Sequence, residues 1–180
     1  MDGSPNMYDL SFRNGADYME KVRKVFLVVL PFILFASTLI LDRITKNLAL
    51  IHLQNSSFHV FSILDFVYVE NYGAVFGLFA NQPINFAAIS IGSIVVIMIL
   101  LRIFFTRIPW IPVSLIMGGA VGNIIDRYLY GFVVDFVKVG NFYVFNVADA
   151  CITIGAALLF LYIVLDTKRE EEKNKQSPSE

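Results

Sequence analysis

The chain is poor in cysteine and histidine, and one long stretch of it has no basic residue at all. Its single cysteine, Cys151, excludes an internal disulfide and any metal site built from paired thiolates. The two histidines, His52 and His59, share one Ser- and Asn-containing connection with no third ligand beside them, and they read as interfacial or exposed polar groups. No internal repeat is visible. The net charge of −1 supplies no basic patch for nucleic acid, because the acidic and basic residues near the C-terminus interleave. No Lys or Arg occurs in residues 47–101, whereas Lys21, Arg23 and Lys24, then Arg102 and Arg107, then Lys168, Arg169, Lys173 and Lys175 flank apolar blocks.

Apolar residues are what the chain has in abundance. They make up 57% of it, the mean hydropathy is +0.66, and they come in blocks long enough to cross a bilayer. The blocks cover 25–41, 84–101, roughly 108–125 and roughly 144–165, the first being short enough to take in residues 42–46 as an interfacial last turn. The expected fold is an all-α membrane protein of four transmembrane helices with a small extracytoplasmic β-rich subdomain. Residues 1–20 form a polar N-terminal extension, 21–166 the four-span domain, and 167–180 a solvated, disordered cytoplasmic tail. The polar start is no signal peptide, since the basic cluster and the apolar run begin after it, so the first span stays as an anchor. The basic flanks place both termini in the cytoplasm and the first and third connections outside it.

Within the first connection, 48–53 extends the first helix, and 58–70, dense in Val, Ile, Phe and Tyr, forms one or two strands. Residues 71–79 then carry two glycines among aromatics, which suits either an interfacial segment or a plain re-entry turn. The third connection reads as two strands, 132–139 and 141–145, meeting at a tight Gly140-Asn141 turn. That pairing places Asp135 near Asn146. If Asn146 caps the last helix, Asp149 falls at its third position, where a purely structural capping role is one reading.

Asp135 and Asp149 carry the chemistry. Two acids of one sign close together at a membrane edge hold one proton between them, so one can take a proton from water while the other donates to a carbonyl oxygen. This suits peptide-bond hydrolysis without a covalent intermediate. The apolar hairpin assigns the proton to Asp135, and the positive end of the last helix assigns the charge to Asp149. Cys151 invites a nucleophile reading, but a small apolar packing residue is the better one.

Ahead of the pair, Gly118 and Gly122 allow close helix approach, and Asn123, Asp126 and Arg127 cluster at the end of the third span. Arg127 is expected to pair with Asp126 and neutralise it, while Asn123 and Arg127 either tie helices together or hold a substrate backbone. Asp42 and Lys46, four residues apart, form an interfacial ion pair or contact lipid head groups.

The ordered set Asp42-x-x-x-Lys46, Asn71-x-Gly73-Ala-x-Phe76-Gly77, Gly118-Gly119-Ala-x-Gly122-Asn123-x-x-Asp126-Arg127, Val133-Val-Asp135-Phe136 and Phe145-Asn146-x-Ala148-Asp149 resembles the bacterial lipoprotein signal peptidase family, signal peptidase II. The likeness runs from about residue 25 to 165. It implies a multi-pass aspartyl endopeptidase of the bacterial cytoplasmic (inner) membrane, acting near the outer face. Such enzymes cleave prolipoproteins before a diacylglyceryl-modified cysteine. By motif position it makes Asp135 and Asp149 catalytic, and gives substrate-handling or structural positions to Asn71, Gly73, Gly122, Asn123, Asp126, Arg127 and Asn146. Asp42 and Lys46 match its first block. No metal or other cofactor is implied, and the partners are the modified prolipoproteins, membrane lipids and globomycin-type inhibitors, with the chain a monomer. The N-terminal extension matches no family motif. The stretch between the aspartates is short, so a cover over the site would have to come from 71–79.

Three other readings fit less well. Intramembrane aspartyl proteases of another kind carry a Gly-x-Gly-Asp signature, which precedes neither acid here. A proton-coupled carrier would place its acids near the bilayer midplane in repeated halves. A purely structural subunit has little reason to hold both.

Overall fold

The computed structural model describes residues 7–73, 91–92, 95–96, 98–99, 103, 109–140 and 143–176, with side chains from Asp17 onward except those of Asn174 and Gln176. Three long helices, α1 (Met7–His52), α2 (Trp110–Tyr130) and α3 (Val147–Gln176), carry a four-stranded sheet of β1 (Phe58–Phe61), β2 (Leu64–Asn71), β3 (Val133–Val139) and β4 (Val144–Phe145). Of the block expected at 84–101, Ile91, Gly92, Val95, Val96, Met98 and Ile99 are described, and all are helical.

Two helices are long and apolar enough to cross a membrane, Asp17–His52 and Val147–Lys173. Their outward faces are apolar, with Phe32 71% and Phe160 68% exposed, as expected of helices solvated by lipid. The chain is mostly helical with a small sheet, a membrane protein. The first span is much longer than the block at 25–41, because the helix continues through Asp42 and Lys46 to His52, as the extension at 48–53 anticipates. The C-terminal tail is exposed but not disordered as far as Gln176: α3 runs on without a break, and an i,i+3 pair of Lys173 with Glu170 at 2.7 Å supports the added turns.

Small residues let α2 lie against both neighbours. A side chain at Gly118 would run into Thr38 and the Phe35 carbonyl of α1, and one at Gly119 would meet the Ala148 carbonyl and Ile152 of α3. Helix α2 stops at Gly131, whose φ of +82° is the left-handed cap geometry, its N–H bonding the Arg127 carbonyl at 3.1 Å.

The sheet has the order β1-β2-β3-β4, antiparallel throughout. The first connection thus supplies β1 and β2, the third β3 and β4, and the β2–β3 pairing that joins them was not legible in either segment alone. Ala49 and Leu53 at the end of α1 pack with Val134 and Phe136 of β3 to form the buried core under the sheet, edged by Phe66, Tyr68 and Val147. In the β3–β4 hairpin, Val137 lies opposite Phe145 and Lys138 opposite Val144; Gly140 turns with φ +59°, and Asn141 lies outside the described residues.

Candidate active site

Polar groups, rather than apolar ones, fill the junction of the three helices with the sheet. Asp42, Lys46, Asp126, Asp135 and Asn146 are among the most completely buried side chains, none more than 1% exposed. Such a cluster survives burial only if each charge and amide finds a partner.

Asp135 lies on β3 and takes hydrogen bonds on both carboxylate oxygens, from Asn146 Nδ2 to Oδ1 at 2.7 Å and from Asn71 Nδ2 to Oδ2 at 2.8 Å. The Asn71 amide is held the right way round by its own turn: Gly73 N–H donates to Asn71 Oδ1 at 2.8 Å, with Gly73 in a left-handed conformation at φ +80°. Burial pushes the Asp135 carboxyl up from 3.8 to about 6. The Asn71 bond opposes this, the Asp149 charge adds to it, and Asn146 and Lys46 oppose it, so desolvation outweighs the two amide donors.

Asp149 sits at the third position of α3. Its N–H donates to Asn146 Oδ1 at 2.9 Å, and its Oδ2 receives the Asn146 N–H at 3.4 Å, a reciprocal cap. The other oxygen, Oδ1, accepts from Asn123 Nδ2 at 2.8 Å. One Asn146 side chain therefore bonds Asp135 and the Asp149 backbone at once, while its Nδ2 also reaches Asn123 Oδ1 at 3.2 Å and the Val134 carbonyl at 3.3 Å. The two acids are tied into a single amide network.

Behind this network lies an ionic cluster. Lys46 Nζ is 2.9 Å from Asp42 Oδ2, 2.9 Å from Asp126 Oδ2 and 2.8 Å from Asn123 Oδ1. Its third bond fixes the Asn123 amide with the nitrogen toward Asp149. The far oxygen of Asp42 accepts the Ala148 N–H at 3.1 Å, and Asp126 Oδ2 accepts the Val134 N–H at 3.1 Å. Gly122 leaves room for the Asp42 carboxylate, since a Cβ there would lie 2.5 Å from Oδ2.

Two expectations need correction. Arg127 does not hold the Asp126 carboxylate. Its guanidinium donates to the Asn123 carbonyl at 3.4 Å, in Coulombic reach of Asp149, Asp135 and Asp126, while Asp126 is taken by Arg43 and Lys46. The Asp42–Lys46 pair exists but is not open to lipid head groups, because both side chains are fully buried, with Gly122 of α2 and the Ala148 N–H of α3 against Asp42. Arg43 was not singled out from the sequence at all. Its signal was a charge count: two acids, Asp42 and Asp126, in apolar surroundings need two cations, and Lys46 is only one. From Ala74 to Phe79, the segment expected to cover the site lies outside the described residues. Cys151 is free and half-buried, two residues past Asp149 and so turned away from it on the helix.

The family model for signal peptidase (SPase) II matches residues 34–165, which takes in every side chain of the site. The chain belongs to the signal peptidase II family. It is 41% identical over 143 residues to the lipoprotein signal peptidase of Syntrophomonas wolfei subsp. wolfei, covering 76% of this chain and 94% of that protein. Against the lipoprotein signal peptidase of Clostridium tetani it is 35% identical over 153 residues, covering 80% and 98%. A solved bacterial membrane enzyme, determined by the in meso method at 2.3 Å resolution, superposes with a TM-score of 0.66 at 28% identity, covering 79% of this chain and 92% of that one. Membership of signal peptidase II makes the chain a membrane protease.

Proposed function

We propose that this signal peptidase II is an aspartyl endopeptidase that removes signal peptides from prolipoproteins before their diacylglyceryl-modified cysteine. Asp135 and Asp149 activate water between them. The observation that carries this reading is the shared amide scaffold: a buried carboxylate on β3 and a half-buried one on α3, with the side chain of Asn146 bonded to the first and capping the helix that carries the second.

In the reaction, the ionised acid takes a proton from the attacking water while the protonated one donates to the carbonyl oxygen of the scissile bond. Asp135, lifted to about 6 chiefly by burial, is the group readied to hold the proton. Arrival of a lipid-bearing substrate excludes the surrounding water, leaving the attacking one, and pushes Asp135 further the same way. Asn71, Gly73, Asn123, Asn146 and the Asp42–Lys46–Asp126 cluster orient the pair; Gly122 admits that cluster, and Arg127 stands ready for the substrate backbone. No metal or organic cofactor enters this chemistry. Four spans, both termini in the cytoplasm, a monomeric chain, an active site near the outer face of a bacterial inner membrane and inhibition by globomycin-type cyclic peptides complete the proposal.

The test incubates the purified full chain with a diacylglyceryl-modified prolipoprotein and with the unmodified form. Only the modified form is cleaved, Asp135→Asn and Asp149→Asn are inactive though folded, and Cys151→Ala retains turnover. Turnover by either Asp variant, or a folded but inactive Cys151→Ala, would overturn the aspartyl mechanism.

A further inference from the structure

Arg43 fills an unspecified position of the Asp42-x-x-x-Lys46 block, yet it completes the charge balance behind the two acids. Its Nη2 contacts Asp126 Oδ1, lies 3.5 Å from Asp42 Oδ2 and donates to the Gly122 carbonyl at 3.4 Å. Asp42, Asp126 and Lys46 are fully buried, and Arg43 is 22% exposed. With Arg43 the cluster holds two negative and two positive charges; without it, one uncompensated negative charge remains in a region of low permittivity.

That charge would stand one residue from the acids on either side. Lys46 connects the cluster through Asn123 to Asp149, and Asp126 connects it through the Val134 N–H to the neighbour of Asp135. We propose that Arg43 is a positioning residue that neutralises this cluster and so sets the pH range in which the Asp135/Asp149 pair works. The inference rests on the aspartyl reading above.

The other charged or titratable groups around the pair all remain present when Arg43 is replaced. Lys46 faces it from α1, Arg127 and Asp126 from α2, and Tyr143 approaches ahead of β4. Glu70 of β2 pairs with Val134, so it lies on the opposite face of the sheet from Asp135.

Replacing Arg43 by Gln leaves the cluster at −1, which favours protonation of nearby carboxylates. The whole profile of kcat/KM against pH then moves upward by roughly one pH unit, the size of a unit-charge interaction across one hydrogen-bonded side chain at a protein-like permittivity. On the acid limb this is about a tenfold loss relative to each enzyme's own maximum. Asp126→Asn leaves the cluster at +1 and moves the profile downward. Arg43→Lys, and the double variant Arg43→Gln with Asp126→Asn, restore neutrality and return the profile to its original position.

A merely structural Arg43 would lower the rate at all pH values alike and would gain nothing from the second substitution. Superimposable profiles for Arg43→Gln and the original chain overturn the inference. Should Arg43→Gln fail to fold, Asp126→Asn decides alone, and an unmoved or upward profile counts against. Failure of the aspartyl reading is separate, since it appears as turnover by Asp135→Asn or Asp149→Asn.

Discussion

Asn146 and Asp149 bond each other twice, side chain to backbone in both directions, at 2.9 and 3.4 Å. Structural and chemical roles for Asp149 are therefore not alternatives. The same cap that starts α3 fixes the orientation of the carboxylate, leaving Oδ1 for Asn123 and aiming the Asn146 amide nitrogen at Asp135.

Capping and chemistry can be separated at this position. Serine is a good N-cap but has no amide nitrogen to reach Asp135, whereas alanine has neither. Asn146→Ser should therefore be more stable than Asn146→Ala by about 1 kcal/mol, while both lose nearly all turnover. Thermal melts in detergent, read beside cleavage rates, check this. Equal stability of the two variants would remove the cap from the account, and a highly active Asn146→Ser would remove the amide bridge.

The hairpin and the cap were legible because both are local: two strand-like stretches lie side by side in the chain, although Lys138 stands opposite Val144 and not Tyr143, one residue off the register of a two-residue turn at Gly140-Asn141, and Asn-x-x-Asp is a helix-start pattern over four residues. The site's remaining contacts come from segments far apart in the chain. Asn71 reaches Asp135 only because β2 pairs with β3 in the register that sets Asn71 opposite Val133, and neither strand's pattern specifies that register. Arg43 escaped notice for a related reason. Adjacent residues on a helix do not face each other, so standing next to Asp42 gives no sign of a shared cluster, and the length of the side chain brings it to Asp126.

Stability should vary with pH in a direction set by Asp135. Its carboxyl titrates at about 6 in the folded chain against 3.8 when unperturbed, so between these values the folded state holds more proton than the unfolded state. The contribution is therefore favourable in acid and is lost as pH rises through this window, a cost on the order of 3 kcal/mol at neutral pH. Asp135→Asn removes the titration. Melting temperatures of the original chain should fall relative to those of the variant as pH rises from about 4 to about 7. Parallel curves would show that Asp135 is not strained by burial.

Gly122 should be irreplaceable for steric reasons alone. A methyl group there would lie 2.5 Å from Asp42 Oδ2, an oxygen that cannot retreat because Lys46 holds it at 2.9 Å and the Ala148 N–H holds its twin at 3.1 Å. Gly122→Ala is expected to cost about 1–3 kcal/mol and to lower turnover. Gly92→Ala is the control, since a Cβ at Gly92 meets nothing within 4 Å. Chemical denaturation of both variants in the same detergent decides the matter, and equal stability would show that α1 and α2 can shift apart at little cost.

Lys46 should be the least dispensable cation, because one ammonium group satisfies Asp42, Asp126 and Asn123 together. Lys46→Met leaves two buried acids facing Arg43 alone and frees the Asn123 amide from its strongest restraint. The expected loss is about 3–5 kcal/mol, the usual consequence of breaking a buried ion pair from one side. Removing an acid as well should recover part of it: Lys46→Met with Asp126→Asn leaves Asp42 and Arg43 as a neutral pair, so the double variant is expected to melt above Lys46→Met. Turnover should stay low in both, since neither holds Asn123 against Asp149. Losses that simply add in the double variant would mean that the cluster acts through packing and not through charge.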